Sequence, residues 1–120
     1  MQNREIPFDI LGLKAAYARG LAPVDVIARV YDRIARVADP GIFITLADRN
    51  KVLDAARALV PQDRERLPLW GIPFAVKDNI DVAGLPTTCA APAFARIPQR
   101  NATSVQRLVE AGALVIGKTN

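Results

Sequence analysis

Two short apolar runs, Ile72–Val76 and Ala113–Ile116, constrain the fold of this chain more than any other feature. Each reads as a buried strand. Between them lies irregular chain through Pro98, then a helical pattern carrying Val105, Leu108 and Val109. A strand, a long crossover, a helix and a second strand imply parallel pairing, because parallel neighbours cannot be joined by a hairpin. Parallel strands are normally central and covered on both faces. A buried strand that runs straight into Gly117-Lys118-Thr119-Asn120 therefore calls for more sheet than these residues supply.

Helical periodicity dominates the first half. Ile10, Leu13, Tyr17 and Leu21 share one face, and Gly20 suits a stop. Pro23 fits the first turn of a second helix, with Ile27, Val30, Tyr31, Ile34 and Ala38 as its apolar stripe until Asp39-Pro40-Gly41 breaks it. The β-branched run Ile42–Leu46 predicts a short strand. Asp48 can cap a third helix that turns Val52, Ala55, Ala56 and Leu59 inward. Pro61–Pro68 is a charged linker. Thr103 and Gln106 have the spacing of a capping box for a last helix, which Gly112 stops. No internal repeat is present.

At 120 residues, half of them apolar, the chain amounts to one domain at most. Its 16 basic and 12 acidic residues leave a net charge of +4. Arg29, Arg33, Arg36, Arg57, Arg64 and Arg66 recur at helical spacing beside Asp32, Asp54, Asp63 and Glu65, the pattern of a solvated helix face. Nucleic acid is not an expected partner, because the few aromatics lie on apolar faces instead of between the basic residues. No membrane association is expected either: Met1–Pro7 is polar and no apolar run approaches a spanning length. One cysteine, Cys89, excludes an internal disulfide, and a reducing cytoplasm is the expected compartment. Asn101-Ala102-Thr103 fits a glycosylation sequon that carries no weight there. The chain has no histidine, which removes the usual base for a Ser or Cys nucleophile. With one cysteine it also leaves no soft-metal ligand set, so neither metal nor cofactor is expected.

Three motifs remain. Gly112-Ala-Leu-Val-Ile-Gly117-Lys118-Thr119 formally matches a phosphate-binding loop, but the residues between its glycines are themselves the strand. Cys89 lacks a histidine to activate it and reads as a partly buried small side chain. Lys77 ends the apolar run 72–76 and precedes Asp78 and Asn79. A cation there is costly unless it is satisfied or its pKa is lowered, which marks it for chemistry. The plain alternative is a lysine that snorkels to solvent or pairs with Asp78 or Asp81.

Gly71-Ile-Pro-Phe-Ala-Val-Lys77-Asp78-Asn79, then Gly84-Leu-Pro-Thr-Thr88, and the ending Glu110-Ala-Gly-Ala-Leu-Val-Ile-Gly-Lys118-Thr-Asn120 together resemble the N-terminal part of amidase-signature hydrolases. Within that family the likeness is to allophanate hydrolases, which carry a similar Asp-Asn-Ile-Asp-Val-Ala-Gly-Leu-Pro-Thr-Thr run and a similar Pro-Ala-Phe. It extends from about Asp9 to the last residue. The resemblance implies an α/β fold in which N-terminal helices precede the first strands of a mixed, largely parallel sheet. Residues 1–120 would form a single partial domain, mainly helical over 1–60 and opening the sheet core over 68–120. It also implies a serine hydrolase without histidine. Lys77 would be the base, passing protons through a bridging serine on a cis peptide to a nucleophilic serine. Asp78, Asn79, Thr87 and Thr88 would support it. Both family serines belong to glycine- and serine-rich segments beyond the equivalent of Asn120, and the only serine here, Ser104, resembles neither.

The expected activity is therefore amide C–N hydrolysis releasing ammonia in urea breakdown, on a small amide or urea-derived substrate. This chain would carry only the base and be inactive alone, completed by a missing C-terminal part or a homo-oligomer. Two rivals remain: a non-catalytic module docking a partner strand on an open sheet edge at 113–116, and a piece of a general amidase or amidotransferase.

Overall fold

The structure is a computed structural model that describes residues 6–120, so most of the polar opening at 1–7 lies outside the described residues. The first helix, α1 (Ile10–Ala18), starts at Asp9, whose carboxylate accepts the Gly12 N–H at 2.9 Å. Leu13 and Tyr17 are buried as their spacing predicts, whereas Ile10 is exposed and Leu21 lies beyond the helix end. Gly20 terminates the turn with φ +105°. Helix α2 (Pro23–Val37) buries Val26, Ile27 and Tyr31 and closes on Ala38 in the left-handed region. Strand β1 (Phe43–Leu46) follows, then α3 (Arg49–Leu59), where the Asp48 carboxylate accepts the Asn50 N–H. Val52, Ala56 and Leu59 face inward at i, i+4, i+7, but Ala55 falls outside that stripe and is exposed.

The sheet order is β1-β3-β2, with β2 (Pro73–Lys77) parallel and β1 antiparallel to β3 (Leu114–Thr119). The parallel crossover is as expected; the position of β3 is not. It is the central strand, paired with β2 along its length and with β1 over Gly117–Thr119, so β1 and β2 are the two edges. That also explains why β2 is less buried than its apolar run suggests: only Val76 is buried, and Ala75 is exposed.

Helices α1 to α3 cover one face of the sheet over Leu114, Ile116 and Ile72. Polar tips inside this core find partners: Tyr17 Oη donates to the Gly71 carbonyl at 2.6 Å, and Trp70 Nε1 to the Leu59 carbonyl at 2.8 Å. The two rings meet edge to face with centroids 5.2 Å apart. Tyr17→Phe removes the hydroxyl and leaves the Gly71 carbonyl unpaired under the core. It should lower the urea midpoint by the equivalent of about 1–2 kcal/mol.

The other face carries a smaller cluster of Val76, Val82 and Val105, against which Phe74 and Val115 pack. Val105 comes from α4 (Thr103–Glu110), whose Leu108 and Val109 are each 38% exposed. The capping box does not form. Ala102 is the N-cap residue, Thr103 is already helical, and Gln106 instead accepts from Asn101 Nδ2 and donates to Glu110. The charged helix faces are solvated as expected, with exposed pairs such as Arg57–Asp54 at 2.9 Å. Among the described residues, no helix is long and apolar enough to cross a membrane.

Candidate active site

Strict alternation along β3 would place Lys118 on the same face as Leu114 and Ile116, in the apolar core. It does not go there, because β3 is bulged. Phe74 pairs with Val115 and Ala75 with Gly117, so Ile116 is an extra residue against β2. The insertion flips the register, and Lys118 emerges opposite Val76, towards the loop that follows β2. A matching irregularity in β1 pairs Phe43 with Thr119 and Thr45 with Lys118, leaving Ile44 over. Gly117 makes this tolerable: a Cβ there would lie 2.5 Å from the Thr45 carbonyl oxygen.

Lys118 is the largest fully buried side chain among the described residues. Its Nζ donates to the Asp78 carbonyl at 2.9 Å, the Pro86 carbonyl at 3.2 Å and Thr87 Oγ1 at 3.3 Å. Three protons thus meet three acceptors. Burial pushes its pKa below the usual lysine range, while the carboxylates of Asp78 and Asp81 oppose that shift.

Asp78, expected as a supporting residue, is buried, and it organises the loop. One carboxylate oxygen, Oδ2, accepts from Thr88 Oγ1 at 2.7 Å, Thr88 N–H at 3.1 Å and Ala90 N–H at 3.2 Å. The other, Oδ1, is buried with no partner among the described residues. Burial raises the pKa of this carboxyl, but the hydrogen bonds from Thr88 and Ala90 and the Lys118 charge outweigh it and hold it below the ordinary aspartate value. Thr87 is also buried and donates to Asp81 Oδ1 at 2.8 Å, which Arg96 pairs at the same distance. Those two hydrogen bonds, with the arginine charge, keep the Asp81 carboxyl low as well.

Lys77 and Asn79, by contrast, are exposed. Lys77 ends β2 opposite Thr119, with its carbonyl accepting from Ile80 N–H at 2.9 Å and the next N–H, that of Asp78, donating to Thr119 at 2.8 Å. It makes no ion pair with Asp78 or Asp81, whose partners are those just named. The structure therefore assembles Asp78, Thr87 and Thr88 around Lys118 and leaves Lys77 and Asn79 at the adjoining surface. Sequence reasoning missed Lys118 as part of this cluster. The signal was a lysine after Gly117 inside an apolar run, with a glycine where a bulge could turn it. Cys89 is exposed at φ +51°, not partly buried, because Asp78 pulls Thr88 and Ala90 inward on either side of it. The lysine and threonine of the phosphate-loop pattern lie within β3. Among the described residues, no group of three His, Cys, Asp or Glu could hold a metal.

Comparison with known proteins bears on this cluster. The family model described as Amidase matches residues 25–120. The urea amidolyase of Saccharomyces cerevisiae is 47% identical over 79 residues, 65% of this chain and 4% of that protein. One subunit of the glutamyl-tRNA(Gln) amidotransferase of Symbiobacterium thermophilum is 43% identical over 107 residues, 83% of this chain and 22% of that relative. Among solved structures, the Kluyveromyces lactis allophanate hydrolase superposes with a TM-score of 0.71 at 34% identity, covering 88% of this chain and 18% of that one. The native peptide amidase of Stenotrophomonas maltophilia gives 0.82 at 32% identity, covering 95% and 26%. The chain thus spans about a quarter or less of each of these four relatives.

Proposed function

The chain belongs to the amidase family, and from that premise we propose that it supplies the base of an amide hydrolase of the allophanate hydrolase type. Residues 1–120 are then the N-terminal part of one amidase domain, mainly helical over 1–60 and opening the sheet core over 68–120. Lys77 is the base. A bridging serine and a nucleophilic serine come from chain outside these residues, since Ser104 is exposed in the first turn of α4. The nucleophile attacks the amide carbon, its proton passing through the bridging serine to the lysine amine. The lysine returns the proton to the leaving nitrogen, which departs as ammonia, and water then hydrolyses the acyl-enzyme.

One observation carries this reading. β2 is hydrogen-bonded on one side only, and it ends in an exposed lysine whose carbonyl accepts the Ile80 N–H to close a turn. Further chain packed on that edge would take the Lys77 amine out of water and enclose it in a site, the setting in which a lysine serves as a base. The 47% identity to a urea amidolyase supports the allophanate type over a general amidase. The lone, exposed Cys89 suits a reducing compartment, and we assign the cytoplasm.

The test is a chimaera in which residues 1–120 replace the matching segment of an allophanate hydrolase. The isolated chain should release no ammonia from allophanate, the chimaera should turn over, and Lys77→Met in it should lower kcat by about 10³-fold. Turnover by the isolated chain, or a Lys77→Met chimaera as active as its parent, would refute the assignment.

A further inference from the structure

Lys118 is an expensive residue to place where it is. A buried ammonium loses its hydration, and an apolar side chain of similar length such as methionine would fill the space without that loss. What the ammonium adds is direction. Its three acceptors lie at the two ends of the 78–87 loop: the Asp78 carbonyl at the start, and Pro86 and Thr87 at the finish. The finish is tied back to the start a second time, through Thr88 and the Asp78 carboxylate. The residue that follows Lys77 is thus held by β3 at two points. Thr119 holds its N–H, and Lys118 its carbonyl. Register supplies the rest: Lys118 pairs with Val76 and Thr119 with Lys77, so the two lysines leave the sheet on opposite faces.

We propose that Lys118 is a positioning residue for Lys77: from the far face of the sheet its ammonium staples both ends of the 78–87 loop to β3 and so fixes where the Lys77 amine is delivered. The inference rests on the reading of Lys77 as the base. The effect of Lys118 is transmitted through the Asp78 peptide, whose carbonyl its ammonium holds. Displacing a reacting group by about 1 Å is enough to cost on the order of 10²-fold in rate.

The chimaera described above separates the possibilities, with kcat counted per acyl-forming site from the burst of first turnover. Lys118→Met should lower kcat by about 30-fold with KM within about twofold, because binding surfaces stay in place while the base is misaimed. Thr87→Val, which keeps the buried amine and removes one acceptor, should lower kcat by about threefold at unchanged KM. An inactive parent chimaera would remove the Lys77 reading and this inference with it. An active parent whose Lys118→Met variant keeps its kcat per site would overturn this inference alone. So would a Lys118→Met variant that fails to fold beside a Thr87→Val variant of unaltered kcat, since the lysine would then serve only stability.

Discussion

Replacing Gly117 by alanine should cost this chain about 3 kcal/mol, the upper end of what overpacking usually does. The new Cβ would sit 2.5 Å from the Thr45 carbonyl oxygen, 3.1 Å from the Phe43 ring and 3.2 Å from Leu46 Cα. Two of those three atoms are backbone, so no side-chain rotation relieves the clash. Only separation of β1 from β3 does, and that breaks the ladder from Phe43–Thr119 to Leu46–Gly117. The same shift would disturb the register that turns Lys118 out of the apolar core. Gly84→Ala is the natural control. Gly84 has φ +80° and nothing within 4 Å of where a methyl would sit, so its cost is backbone strain alone, about 1 kcal/mol. Thermal unfolding followed by circular dichroism should show a drop of about 10 °C or more for Gly117→Ala and a few degrees for Gly84→Ala. Equal drops would mean that the close approach of β1 does not constrain position 117.

The contrast between these glycines shows where the sequence is legible and where it is not. Apolar runs and helical stripes identify β2, β3 and all four helices, because each is a local pattern read by a single packed face. The parallel crossover between β2 and β3 follows from connection length. The antiparallel partner of β3 does not: β1 is four residues of moderate apolarity, and nothing local says it returns to pair with a strand some seventy residues later. Thr103 and Gln106 have the right spacing for a cap, but Asn101 is within reach of Gln106 and takes it. The site divides in the same way. Lys77 is conspicuous from its neighbours, whereas Lys118 hides behind alternation, and only the inserted Ile116 reveals which face it serves. Asp78 is legible as a neighbour of Lys77, yet its work is done at long range on Thr88 and Ala90.

Asp78→Ala should be the other severe substitution, at about 3 kcal/mol, because it removes a carboxylate charge that acts on the buried Lys118 and leaves the Thr88 N–H and hydroxyl without their acceptor, the Ala90 N–H keeping only Thr88 Oγ1. Asp78→Asn keeps an oxygen for Thr88 and Ala90 and removes only the charge, so about 1–2 kcal/mol is expected. The two variants also differ in how they respond to acid. The Asp78 carboxyl titrates below its ordinary value in the folded chain. A depressed carboxyl contributes stability that is fully present above the unfolded pKa, about 3.9, and is lost as pH falls through the folded one. The wild-type chain should therefore lose more stability than Asp78→Asn between about pH 5 and pH 2. Asp81 is depressed too, by Arg96 and Thr87, but it is present in both proteins and cancels in their difference. Urea unfolding at half-unit pH steps measures that difference directly. Curves that converge on acidification place a charged, stabilising carboxylate at position 78, curves that stay parallel would mean that this carboxyl titrates alike in the folded and unfolded chain, and a gap that moves in the wild type's favour on acidification would mean that it is protonated in the fold.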